Sequence, residues 1–109
     1  MVAIDAQEVV QIETLRLQCE IDHEDHDLLL RQYAQAALDY CLYTCDEPSI
    51  DTAAKVPVRM TQAALMLVAH WFANREAVVT GTITAQVPLA VESLLFTCRN
   101  FYGAALPEA

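Results

Sequence analysis

From Gln62 to Ala73 the chain reads Gln-Ala-Ala-Leu-Met-Leu-Val-Ala-His-Trp-Phe-Ala, apolar at nearly every position. The longest apolar run, Ala63 to Phe72, is about ten residues long and contains His70, whereas a membrane span needs roughly twenty. It therefore reads as a buried helix. A helix that is apolar all round must be covered on most of its sides. The rest of the chain has to supply that cover, and this requirement governs the whole reading.

The cover is helical. Only 2 glycines and 4 prolines occur in 109 residues, too few for the tight turns of a many-stranded sandwich or barrel. Hydrophobic residues make up 55% and charged residues 19%, which excludes wholesale disorder. A chain of this length fits one domain, residues 1–109. Apolar positions Val9, Ile12, Leu15 and Cys19 recur every three or four residues and predict a short amphipathic helix that stops at Glu20-Ile-Asp-His23. A second helix is predicted from Asp25 to Thr44, with Asp22 or Asp25 as its N-cap and Glu24, Asp25 and Asp27 at its positive end. Its inward stripe is Leu29, Tyr33, Ala36, Ala37, Tyr40 and Thr44, widened by Leu28, Leu30 and Cys41. Asp46-Glu-Pro-Ser49 ends it. The apolar helix begins near Pro57, a residue suited to the first helical position. The β-branched stretch Val78–Val87 reads as a loop or short β-hairpin. Pro88 then opens a fourth helix with Val91, Leu94, Leu95, Cys98, Phe101 and Tyr102 inward and Gly103 as its stop. The expected fold is mainly α, a small bundle of about four helices.

Six basic residues against fifteen acidic ones give a net charge of −9. Such a surface repels phosphate backbones and argues against sequence-reading DNA binding. Residues 1–51 hold twelve acids and two bases (Arg16, Arg31); residues 52–109 hold three acids and four bases (Lys55, Arg59, Arg75, Arg99). The opening Met-Val-Ala-Ile-Asp has no basic or apolar character of a signal peptide. The four cysteines (Cys19, Cys41, Cys45, Cys98) accordingly read as small buried hydrophobes of a protein made in a reducing cytoplasm.

Catalytic signatures are weak. His23-Glu-Asp-His-Asp27 brings two imidazoles and several carboxylates into about one turn, a donor set that suits divalent metals. The plainer reading is a solvated helix start. Cys41 and Cys45, four apart inside an amphipathic pattern, read as core rather than as a zinc pair. With glycine only at 81 and 103 there is no phosphate-binding loop. Ser49 and Ser93 lack the G-x-S-x-G context of a nucleophile elbow. No catalytic, cofactor or metal residue is assigned. The most individual stretch is His70-Trp-Phe-Ala-Asn-Arg75. Trp and Arg are enriched at interface hot spots, although Trp71 also suits a core and Arg75 a helix end.

At these residues the chain resembles the head–tail connector proteins of long-tailed bacteriophages. The likeness is carried by Ala63-Ala-Leu-Met-Leu-Val-Ala-His-Trp-Phe-Ala-Asn-Arg-Glu76, by Val87-Pro-Leu-Ala-Val-Glu-Ser-Leu-Leu-Phe-Thr-Cys-Arg99, and by the acid-led opening from Leu15 to Tyr40. It spans roughly residues 9–102. The resemblance implies a structural virion protein, not an enzyme, made in the host cytoplasm and placed at the head–tail junction. It further implies a homo-oligomeric ring of about twelve copies beneath the portal protein, built from heterologous contacts. That ring would extend the channel for genomic DNA, without sequence-specific binding, and dock the next head-completion or tail protein. Trp71, Asn74, Arg75 and Arg99 are the candidate subunit or partner contacts. Two other readings use the same charge and histidines: an acidic DNA mimic or inhibitor, and a metal-dependent helical enzyme working through His23 and His26.

Overall fold

The computed structural model describes residues 3–74 and 89–99. Among them are four α-helices: α1 (Ile12–Gln18), α2 (Asp27–Cys45), α3 (Val58–Ala73) and α4 (Leu89–Phe96). Short 3-10 turns at Ala6–Glu8 and Ala53–Lys55 complete the described elements. The fold is mainly α. The Val78–Val87 segment, Pro88, Phe101, Tyr102 and Gly103 lie outside the described residues.

Helix α3 is the centre. Met60, Ala63, Ala64, Leu65, Leu67 and Val68 are buried, and α1, α2 and α4 all pack on it. Pro57 is the N-cap rather than the first helical residue, and its carbonyl accepts from the amides of Met60 and Thr61 at 3.0 and 3.1 Å. Helix α2 runs alongside. The ring of His26, just before α2, meets Phe72 near the end of α3 edge-on, with centroids 5.3 Å apart. The start of α2 therefore lies against the end of α3, and the two helices are antiparallel.

The buried stripe of α2 keeps three of the expected positions, Leu30, Ala37 and Cys41, and differs at the others. It runs through Leu30, Ala34, Ala37, Leu38, Cys41, Leu42 and Cys45. Leu29, Tyr33, Ala36, Tyr40 and Thr44 each sit one residue before a buried one, so the centre of the inward face lies on the side of Leu30, Ala37 and Cys41. Tyr33 and Tyr40 flank the core half-buried, a placement that lets a phenol bury its ring and keep its hydroxyl wet. Leu28, at 72% exposure, lies outside.

The helix starts two residues later than predicted, and neither Asp22 nor Asp25 caps it. His26 occupies the N-cap position without a side-chain cap. The Asp25 amide is taken by His23 Nδ1 at 3.3 Å, and a turn from Glu24 to Asp27 delays the helix. Of the three predicted first-turn acids only Asp27 lies inside it.

Helix α1 also begins later than expected, at Ile12 rather than Val9, because the chain first makes the 3-10 turn. It ends in a Schellman motif: the Ile21 amide donates to Arg16 and the Glu20 amide to Leu17. Glu20 takes the left-handed position, φ 59°, usually filled by glycine. Ile21 then folds back onto the core. Helix α4 is shorter than predicted, with Val91 and Leu95 buried within it and Cys98 buried just beyond.

Candidate docking surface

The core fixes two ends of the α2–α3 hairpin, separated by the length of α3, about 24 Å at 1.5 Å per residue. One end holds the start of α2 and the finish of α1 and α3. Here Arg16 grips Asp27 through both carboxylate oxygens, from Nε at 2.9 Å and from its terminal nitrogen, while Glu24 stands 3.7 Å away. The guanidinium hydrogen bonds hold the Asp27 carboxyl below its ordinary value, and the same contact raises Arg16. The pair ties α1 to α2, and exposed Glu20, Asp22, Glu24 and Asp25 lie in the segment that joins the two helices. His23, 3.7 Å from Asp25, is solvated, whereas His26 sits between His23 and Phe72. Exposed Leu17 and Leu28, each one residue from the Arg16–Asp27 pair, add apolar surface. This end is acidic with apolar spots.

Two of the four candidate contacts lie here. Trp71 is half-buried and meets Tyr33 edge-to-face at 6.0 Å, so its ring is partly spent on packing. Asn74 is exposed and closes α3 by donating from Nδ2 to the His70 carbonyl at 2.7 Å. Arg75 lies outside the described residues.

Arg99 is at the opposite end. The last residue of α2, Cys45, contacts Leu95 of α4, and Arg99 follows α4 exposed. Val58, 84% exposed, and Arg59 open α3 at this end, with Lys55 paired to Asp51 at 3.0 Å. Asp46 and Glu47 balance these cations. The acidic and the mixed, near-neutral character thus fall on opposite ends of one hairpin. Of the four candidate contacts Trp71, Asn74, Arg75 and Arg99, the fold places Trp71 and Asn74 at one end and Arg99 at the other.

A third feature had no local signature. Gln35 on α2 clamps the N-terminal arm, accepting from the Ala6 amide at 2.9 Å and donating to the Ile4 carbonyl at 2.8 Å. Asp39 accepts a further bond from its amide at 3.0 Å. Beside the clamp, a groove of about 360 Å³ opens between the 3-10 turn, α1 and α2, lined in part by Gln7, Gln11, Glu13, Arg31 and Gln32. It holds no nucleophile with an adjacent base.

Among the described residues no group of three or more His, Cys, Asp or Glu converges to hold a metal. Cys41, Cys45 and Cys98 are buried and Cys19 half-buried, all as thiols. Burial pushes Cys41 and Cys45 up to about 12, so both are held as uncharged thiols near neutral pH. No helix among the described residues is long and apolar enough to cross a membrane.

Comparison with known proteins bears on this surface directly. Residues 9–98 match the family model of the phage gp6-like head-tail connector protein. The head completion protein gp6 of Enterobacteria phage HK97 is 36% identical over 106 residues, 97% of this chain and 96% of that one. The crystal structure of bacteriophage HK97 gp6 superposes with a TM-score of 0.76 at 36% identity, covering 90% of this chain and 100% of that one. The chain belongs to the phage gp6-like head-tail connector family.

Proposed function

We propose that this chain is a structural virion protein that assembles head to tail into a closed ring beneath the portal and joins the phage head to its tail. The observation that carries this reading is the near end-to-end match to a head completion protein, in sequence and in fold. The layout of the surface supports the ring. A closed ring requires two different patches per subunit, so that each contact leaves the next one open. The acidic end, with Leu17 and Leu28, and the near-neutral end, with Val58 and Arg59, are two such patches. Opposite charges at their rims would set orientation and would weaken with salt.

The partners in this reading are further copies of the chain, the portal protein, and the next completion or tail protein. Genomic DNA passes through the ring. A net charge of −9 suits that passage, since lysines and arginines paired to phosphates would hold the strand rather than release it. Trp71, Asn74, Arg75 and Arg99 remain the contacts assigned to neighbouring subunits or partners, now on more than one face. A guanidinium can grip a neighbour's carboxylate through two hydrogen bonds. No catalytic step is assigned to the chain.

The test uses portal-bearing heads made without this protein. The purified chain should co-sediment with them and restore their capacity to accept tails. Heads lacking the portal should not retain it. Tight binding to a nuclease or polymerase, with none to portal-bearing heads, would overturn the reading in favour of an acidic DNA mimic.

A further inference from the structure

Three of the four thiols meet where the last turn of α2 faces the end of α4. Cys41 and Cys45 lie one turn apart on the buried stripe of α2. Cys98 follows α4 directly. The Cys45 thiol donates to the Leu95 carbonyl at 3.7 Å, and the Cys98 thiol to the Leu94 carbonyl at 3.8 Å. Those carbonyls are consecutive in the final turn of α4, so the two thiols lie side by side against it. Cys41 and Cys45 make a poorer match. Residues four apart on a helix hold their Cβ atoms about 5–6 Å apart, beyond the roughly 3.5–4.5 Å of a disulfide.

We propose that Cys45 and Cys98 are an oxidisable pair, closed into a disulfide by a diffusible peroxide and fastening α4 covalently to α2. Cys98 reacts first, because its 8% exposure leaves a route for a small oxidant that the 1% exposed Cys45 lacks. Its sulfur attacks one peroxide oxygen, the O–O bond breaks, and Cys98 sulfenic acid and one water result. The Cys45 sulfur then attacks the Cys98 sulfur and the S–O bond breaks. The departing hydroxide takes the Cys45 proton and leaves as a second water. Two thiols lose two electrons in all, and hydrogen peroxide becomes two waters.

The closed loop would run from the end of α2 through all of α3 to the end of α4, so the bond would restrict the unfolded chain far more than the folded one. If the chain leaves the cell in a virion, it passes from a reducing to an oxidising medium, the setting in which disulfides persist. That timing rests on the proposed function. The pairing itself does not, and can be read on the isolated chain.

The experiment treats the folded, full-length protein with hydrogen peroxide, blocks residual thiols with N-ethylmaleimide, and maps peptides without reduction. The expected product is an intrachain peptide pair joining Cys45 to Cys98, with Cys41 left as a thiol. Its melting midpoint should exceed that of the reduced protein and fall back on adding dithiothreitol. In C45S, dimedone should trap sulfenic acid at Cys98; in C98S, no intrachain disulfide should form. Should either variant fail to fold, the wild-type peptide map and reversible midpoint decide alone. Pairing of Cys98 with Cys41, pairing that appears only in urea, or a lowered midpoint after oxidation would overturn the proposal.

Discussion

Truncation of Leu65 to alanine tests the centrality of α3. Leu65 is 7% exposed, and the small crevice it lines with Ala6, Val9, Leu15, Leu38 and Val68 holds only about 10 Å³. There is little slack for neighbours to shift into beforehand, so the lost side chain leaves a void. Removing three carbons forfeits about 2.4 kcal/mol of transfer free energy, at ~0.8 kcal/mol for each. If half of the vacated space collapses, a residual cavity of about 40 Å³ adds ~1 kcal/mol at ~24 cal/mol per Å³. The expected loss is thus about 3–4 kcal/mol, a large part of the roughly 5–15 kcal/mol that holds a domain of this size. Urea unfolding, followed by circular dichroism at a dilution where the chain is monomeric, reads this as a lower midpoint with an unchanged slope. Val58→Ala, at an 84% exposed position of the same helix, is the control and should move stability by no more than about 0.5 kcal/mol. If Leu65→Ala were as mild as Val58→Ala, α3 would not be the centre of the core.

Three further outcomes are expected. His23→Gln should leave stability within about 0.5 kcal/mol, whereas His26→Gln should lose about 0.5–1.5 kcal/mol of ring contact with Phe72; equal effects in thermal melts would contradict this division. Because the folded Asp27 carboxyl is depressed, its stabilising contribution is present above the unfolded value near 3.9 and is lost as pH falls through the folded value. Asp27→Asn should therefore lower the melting midpoint at neutral pH, with the gap to wild type closing below about pH 4; a gap independent of pH would refute the ion-pair assignment. Native-state alkylation at pH 8 should label half-buried Cys19 well before Cys41 and Cys45, whose thiols burial holds up near 12; labelling of all four at one rate would show an open core.

How far the sequence reaches is plain in α2 and α3. Helix α3 was legible because an apolar residue falls on every face, so no choice of face was needed. Helix α2 offered two adjacent rows, Leu29-Tyr33-Ala36-Tyr40-Thr44 and Leu30-Ala34-Ala37-Cys41-Cys45, both apolar enough to serve. Periodicity could not choose between them; the core took the row with smaller residues, which lets α3 approach closely, and left the tyrosines at its margin. The Gln35 clamp spans 29 and 31 residues, and the Arg16–Asp27 pair spans 11, so no local pattern announces either. The separation of Trp71 and Arg99 has the same origin. Each was recognisable as an individual residue, but their placement at opposite ends depends on how α4 meets α2, a long-range contact through Cys45 and Leu95.

In the proposed ring each subunit has two unlike ends and propagates contact around the circle. Electron microscopy of portal-bearing particles loaded with the purified chain tests it most directly. The expected result is a closed ring under the portal built from heterologous contacts, with the acidic end around Asp27 facing the Val58–Arg59 end of the next subunit. A ring whose contacts repeat the same patch on both sides, or a chain bound to the portal as isolated monomers, would contradict it.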